Sequence, residues 1–295
     1  MATTKLTTTD AFVVVDIPEA SASGMIRSGR KILPRSAADL ARSATYTFAS
    51  FGIQRSGASA GVNAAGSIED FVTELEPLIK SGELFFGPGK GVAPESLEQV
   101  GQWSPLSAEG GSVDALVDGM ITAAQWALGD TLSGKTVAIE SPDQAQPQLL
   151  AALEEQGATI VDVFGIDEKP WLVWGVDVDV LFVGSRPGVL NHQGAPSVTA
   201  KVLVPWGPIP ITTRAQAMIQ RQPNTTIVPD FLATAGYLLA GVLEGGSEAI
   251  APAIVAALDS ASEHEDGLFL GACHEAERFL STWQDKLPFG RPLAA

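Results

Sequence analysis

The polar residues best placed to do chemistry lie in short stretches between apolar segments. Ser59 and Asn63 fall in RSGASAGVN, Lys90 in FFGPGKGVAP, Asp143 in ESPDQAQ and Arg186 in GSRPG. Gly/Pro-rich loops carried on rigid elements are where catalytic and binding groups concentrate, although many are plain connectors. Together these five offer a hydroxyl, an amide, two cations and a carboxylate, a set that could hold a small anionic ligand or run a cofactor-independent reaction. A serine or threonine becomes a nucleophile only with a base beside it, and no Ser–His pairing is readable for Ser59 or Thr47. Arg186 follows an apolar strand, at the end of the sheet where ligands bind in open parallel folds; it reads either as an anion ligand or as one half of a structural ion pair. His192, in LNHQG, reads as an exposed loop residue. His264, Cys273 and His274 are ligand types that suit zinc. Cys273 and His274 are adjacent rather than one helical turn apart, with no second pair, so no metal is expected and they are assigned to helix surface and core.

These residues need a scaffold, and the apolar pattern supplies one. Short β-branched runs alternate with helical periodicity, which predicts an α/β chain with mostly parallel strands. Ala11–Ile17 is a strand ended by Pro18. Leu40, Ala44, Phe48 and Phe51 recur at helical spacing over 37–51, with Ser36 as N-cap. A second helix is expected over 68–79, capped by Ser67, with Glu69, Asp70, Glu74 and Glu76 gathered where the helix dipole favours acids. Phe85–Pro94 reads as a loop. Val113–Leu128 is a long helix. Residues 132–165 then read as strand (136–139), turn, helix (146–156), Gly157 as the stop, and strand (159–163), the βαβ half of a doubly wound fold. Further strands are expected at 178–183, 201–204 and 226–228, and a helical tail over about 247–283.

A chain of 295 residues is long for one core and comfortable for two. With 34 acidic against 18 basic residues the net charge is −16, a surface that repels polyphosphate, so nucleic acid is excluded as a partner. Mean hydropathy is +0.19, yet no charge-free apolar run approaches a membrane span. The Thr-rich start does not read as a secretory signal. A single cysteine excludes an internal disulfide and fits a reducing compartment. A cytoplasmic location is expected.

Three stretches in order carry a family pattern. They are SGMIRSGRKILPRSAADLARSATYTFASFGIQRSGASAG (23–61), GKTVAIES with GATIVDV, and VDVDVLFVGSRPGVLN through VPDFLATAG (ending at Gly236). The sequence resembles the Glu/Leu/Phe/Val amino-acid dehydrogenases over most of residues 11–245. The resemblance implies an N-terminal α/β substrate and oligomerisation domain (1–112), a shortened Rossmann-like doubly wound domain (113–245), and C-terminal helices (246–295) packing onto or between them. It also implies oxidative deamination of an amino acid held between the domains, with hydride passed to NAD or NADP. One lysine would hold the substrate carboxylate, a second would activate water, and an aspartate would exchange protons with the substrate nitrogen.

Position by position, this sequence departs from that pattern. Thr47 stands where the carboxylate-binding lysine is expected, Ser59 where the water-activating lysine is, and Gly89 where the aspartate is, with Lys90 its neighbour. A hydroxyl carries no charge to pair with a carboxylate or to stabilise a developing anion, and glycine offers no proton. The Gly-rich dinucleotide turn reads Ser141, Asp143 and Gln146 in place of its glycines, reshaped by Pro142 and Pro147. Asp143 would put a carboxylate against the pyrophosphate, a repulsion of roughly 4 kcal/mol per charge pair at about 4 Å with an effective dielectric of about 20. Gly165 takes the place of the ribose-binding acid, with Asp162 and Asp167 near. Ile209 and Thr234 stand near asparagine positions. Asp230 reads as a cap or helix-end residue. Trp171, Trp174 and Trp206 either fill space beside the cofactor site or pack as plain core.

Three readings follow. In the first, the protein has lost NAD(P)-dependent deamination, binds no nicotinamide cofactor, and serves as a pseudoenzyme subunit or ligand-binding partner, in a homo-oligomer or with another enzyme subunit. In the second, the interdomain cleft is re-employed for a cofactor-independent reaction. In the third, it is an atypical NAD(P)-dependent amino-acid dehydrogenase, which fold alone does not establish.

Overall fold

Strand β2 (Ala11–Val15) organises the N-terminal sheet. It pairs antiparallel with β1 (Ala2–Lys5) on one side and with β4 (Ser56–Asn63) on the other. Next come β3 (Ala22–Gly29) and β5 (Leu84–Pro88), both parallel neighbours, giving the order β1-β2-β4-β3-β5. Helix α1 (Pro34–Ser50) connects β3 to β4, α2 (Ile68–Lys80) connects β4 to β5, and α3 (Glu98–Trp103) follows. The computed structural model describes residues 1–103, 112–140, 146–164 and 170–294. Two compact units emerge. The first holds Met1–Ser112, Tyr237–Glu248 and Ala276–Pro292; the second holds Val113–Gly236, Ala249–Glu275 and Leu293–Ala295. Residues 246–295 are thus shared between the units.

In the first unit the alternation of side chains along each strand divides the core into two layers. Ile26, Ala58, Ala60 and Val62 pack with Phe71, Leu75 and Ile79 of α2, while Phe12 and Val14 pack with Ala37 and Ala41 of α1. RSGASAG, expected as a Gly-rich turn, is instead β4, an eight-residue strand. Its small residues are explained by the closeness of α1. A Cβ on Gly57 would lie 1.9 Å from the Ala41 carbonyl oxygen and 2.5 Å from Thr45 N. Thr45 Oγ1 accepts the Gly57 N–H at 2.9 Å and donates to Ala41 O at 3.2 Å, tying helix to strand. The expected loop 85–94 likewise begins as strand, through Pro88. Ser67 caps α2 as expected, accepting from Asp70 N at 3.2 Å. Ser36 does not cap α1: the helix begins at Pro34, whose missing N–H suits the first turn, and Ser36 Oγ donates back to Leu33 O at 2.8 Å.

The second unit begins with α4 (Val113–Leu128). Then come β6 (Thr136–Glu140), α5 (Gln146–Glu155), β7 (Thr159–Phe164), β8 (Val180–Val183) and β9 (Val202–Pro205). The chain continues through α6 (Thr213–Ile219), β10 (Thr226–Ile227) and the short helices α7 (Asp230–Ala233) and α8 (Gly236–Leu239). It ends with α9 (Ile250–Ser262) and α10 (Leu268–Leu280). All five strands pair in parallel, in the order β10-β9-β8-β6-β7. The chain leaves β6 toward β7 on one side and returns to β8 on the other, so the topological switch point lies between β6 and β8. Asp179 fastens the opposite, N-terminal end of these strands: it accepts from Thr136 N and Lys201 Nζ at 2.8 and 2.7 Å.

The architecture is therefore an N-terminal α/β unit, a short doubly wound Rossmann-like unit and a helical tail. Among the described residues no helix is long and apolar enough to cross a membrane.

Candidate functional site

The expected substrate-side residues all lie in the first unit. Thr47 is buried on α1, and its Oγ1 donates to the Ser43 carbonyl of its own helix at 3.2 Å. Ser59 is buried in β4, level with Met25 of β3 and Val14 of β2. Among the described residues no hydrogen bond joins it to a histidine or a carboxylate. Gly89 lies just past β5, where its N–H donates to Ile26 O at 2.8 Å. A Cβ there would stand 2.7 Å from that oxygen and 3.2 Å from both Arg27 Cγ and Met25 Cβ, so an acidic side chain would require the backbone to move. Lys90 is exposed and anchored through its carbonyl, which accepts from Ser28 N at 2.9 Å. Asn63 uses both ends of its amide within the unit: Oδ1 accepts from Ile32 N at 2.7 Å and Nδ2 donates to Asp10 Oδ1 at 3.2 Å. Thr47, Ser59 and Gly89, expected at the lysine and aspartate positions, offer no group that titrates near neutral pH.

Sequence reasoning passed over Arg27, which closes the GMIR stretch of β3. Its Nε and Nη2 are buried without a hydrogen-bond partner among the described residues, and burial pulls its pKa down to about 10. The guanidinium remains charged at neutral pH. It can attract an anion but cannot transfer protons there. Arg55 shows the contrast: it is similarly lowered by burial, yet Nε donates to Ser23 Oγ at 2.5 Å and Nη2 to Gly82 O at 3.1 Å. Arg55 is a structural pin; Arg27 is a half-buried cation with two nitrogens that have no acceptor among the described residues.

In the second unit the decisive group is Glu140, the last residue of β6 and fully buried. Its Oε2 accepts from Gly184 N and Ser185 N, each at 3.0 Å, and its Oε1 accepts from Ser185 Oγ at 2.5 Å. Both partners immediately follow β8, so the carboxylate spans the switch point. Trp206, just after β9, donates its indole N–H to the Glu140 carbonyl at 2.8 Å. Beside them Gly184 and Gly207 touch backbone to backbone: a Cβ on Gly184 would lie 2.3 Å from Gly207 N. Open α/β sheets bind their ligands in this crevice. Here two backbone N–H groups at its edge are already taken by a side chain of the same chain. The sequence hid this because Glu140 looks like the polar end of an apolar strand, and its partners lie far along the chain.

Of the dinucleotide positions, Ser141 and Asp143 lie outside the described residues, as do Pro142, Gly165 and Asp167; Gln146 is the first residue of α5. Arg186 is exposed past β8, and His192 is exposed in its loop. Trp174 is core at 3% exposure, Trp206 is half-buried, and Trp171 is 60% exposed, so it fills no interior space. Asp230 is the first residue of α7, a helix-end position as expected, and its Oδ2 also accepts from Ile209 N at 2.8 Å. That bond steadies Ile209 at φ 45°, a left-handed conformation costly for a β-branched residue.

No family model matches the chain. Leucine dehydrogenase of Geobacillus stearothermophilus is 27% identical over 164 residues, which cover 50% of this chain and 43% of that protein. The chain thus aligns with less than half the length of that curated relative. Among solved structures, the hetero-hexameric glutamate dehydrogenase of Thermus thermophilus in its Leu-bound form superposes with a TM-score of 0.78 at 20% identity, over 92% of this chain and 83% of its own. The L-tryptophan dehydrogenase of Nostoc punctiforme does so with a TM-score of 0.68 at 17% identity, over 96% of each chain. By sequence over half its length the chain is similar to a leucine dehydrogenase, and over nearly all of it the chain shares the fold of the glutamate and tryptophan dehydrogenases.

Proposed function

We propose that this protein is a non-catalytic member of the family, which binds neither NAD nor NADP and acts as a subunit or ligand-binding partner of an active enzyme. The observation that carries the reading is Glu140. Its buried carboxylate occupies two backbone N–H groups at the switch point, in the crevice where open α/β sheets bind their ligands. A negative group there also opposes a pyrophosphate by Coulomb repulsion. The first unit supports the reading from a separate direction. Thr47 and Ser59 supply no charge, and Gly89 sits where even a Cβ meets the Ile26 carbonyl.

Arg27 favours retention of a ligand. A guanidinium with two buried, unbonded nitrogens matches a carboxylate or another small oxyanion better than it matches a purely structural role. The Thermus thermophilus relative in fold is hetero-hexameric and was solved with leucine bound, which lends weight to an assembly of unlike subunits for this chain too.

The test is co-expression with family enzymes from the same source and purification through a tag on this chain. Stoichiometric recovery of a dehydrogenase whose activity changes with this subunit would support the proposal. The purified chain on its own reducing NAD or NADP with any of the common amino acids would refute it.

A further inference from the structure

The turn between α9 and α10 assembles a group that residue spacing alone concealed. His264 lies just beyond α9, Asp266 in the turn, and His274 in the second turn of α10. One ligand atom from each lies within 4.8 Å of the others. His264 Nδ1 is 3.7 Å from Asp266 Oδ2, and His274 Nε2 is 3.8 Å from the same oxygen. The imidazoles stack with centroids 4.4 Å apart and 17° between their planes. Cys273, next to His274 in sequence, is buried and outside the group; the third member is the aspartate. We propose that His264, Asp266 and His274 bind one divalent transition-metal ion of the zinc class.

Ligand chemistry selects that class. Two imidazoles and one carboxylate suit zinc and its neighbours, whereas calcium and magnesium prefer all-oxygen sets. A three-residue set leaves one tetrahedral position open to water. Nitrogen and oxygen ligands about 2.0–2.1 Å from a tetrahedral ion stand roughly 3.4 Å apart, so each histidine needs to close on Asp266 by only a few tenths of an ångström, and the two imidazole nitrogens, within 4.8 Å of each other, by up to about 1.4 Å. Turning the rings out of their stack provides that movement, and the side chains are exposed enough for it, at 31% for His264 and 41% for His274. His264 Nδ1 accepts from Asp266 N at 3.2 Å, and that long bond gives way as the ring turns its lone pair to the ion.

The backbone beneath the group is fixed. Gly267, at φ 87°, makes the turn. A Cβ on Gly271 would lie 2.1 Å from Ala261 O, so α10 is seated directly against the end of α9. Metal ligands on such packed elements need little ordering on binding. The bound ion would clamp the two helices at their junction, and this inference does not depend on the fate of the catalytic residues.

Zinc chloride is titrated calorimetrically into the metal-free full chain in a non-chelating buffer. The expected result is saturation at one ion per chain in the micromolar range, a rise in melting temperature, and no response to magnesium. His274→Gln and Asp266→Asn should each weaken binding by about tenfold or more, whereas His192→Gln, in the remaining histidine's exposed loop, should leave it unchanged. Circular dichroism checks that each variant is folded. Absence of saturable binding to the wild-type chain would overturn the proposal, and so would wild-type affinity in His274→Gln and Asp266→Asn.

Discussion

Replacing Glu140 separates a structural strut from a passive core residue. In Glu140→Ala the N–H groups of Gly184 and Ser185 and the Ser185 hydroxyl lose their acceptor together. A buried donor left without a partner costs about 1–3 kcal/mol. Ser185 is half-buried and its hydroxyl can turn to water, so the two backbone donors dominate and the expected loss is about 2–4 kcal/mol. Glu140→Gln is different. Its remaining oxygen can serve both N–H groups, because both bind the same Oε2 in the wild type, and its amide can donate to Ser185 Oγ. Only the strengthening that comes with an ionic acceptor is lost, about 1 kcal/mol.

Urea unfolding of the three proteins, with equal m-values, reads these differences directly. The order wild type, Gln, Ala in falling stability supports the strut. An alanine variant within about 0.5 kcal/mol of wild type would refute the reasoning, and so would a glutamine variant no better than alanine. Neither variant should gain NADH binding, because removing the strut restores no glycine to the turn that follows.

Three further perturbations follow from the packing. Asp179, held by Lys201 and then by Thr136, has its carboxyl lowered from 3.8 to about 2; because the folded value is the lower one, its contribution is complete above pH 4 and is lost as pH falls from about 4 to about 2. At neutral pH that contribution is about 1–2 kcal/mol after solvent screening, so Asp179→Asn should lower stability at pH 7 and converge with wild type in acid titrations. Gly57→Ala drives a methyl into the Ala41 carbonyl and should cost at least about 3 kcal/mol, seen as a collapsed yield or unfolding midpoint. Arg42→Met breaks the buried 2.6 Å pair with Asp16 and the bonds to the Phe289 and Gly290 carbonyls; a loss of about 3–5 kcal/mol is expected, with faster proteolysis of the C-terminal segment.

How much was legible follows the physics of each element. The second unit's strands are apolar and β-branched, and its βαβ start, its sheet and α4 were readable to within a residue or two, as was α2 through its Ser67 cap. Strand β4 was not, because Ser-Gly-Ala-Ser-Ala-Gly carries a turn's composition; its smallness answers a helix backbone above it, a tertiary demand. Strand β1 was also missed, since an exposed Thr-rich edge needs only the pairing with β2. For the site, motif spacing singles out Thr47, Ser59 and Gly89 as candidates, but it could not find groups defined by what they touch. Glu140 acquires its role from backbone donors after β8, Arg27 from burial without an acceptor, and Asp266 from a helix junction.

The most direct test of the central claim is a calorimetric titration of the purified chain with NADH and, separately, NADPH. The account predicts no saturable heat and no rise in melting temperature at millimolar nucleotide. A nucleotide that binds only the native state would add about 2.7 kcal/mol of stability at a hundredfold its dissociation constant. Saturable binding at one nucleotide per chain, with such a stabilisation, would contradict it.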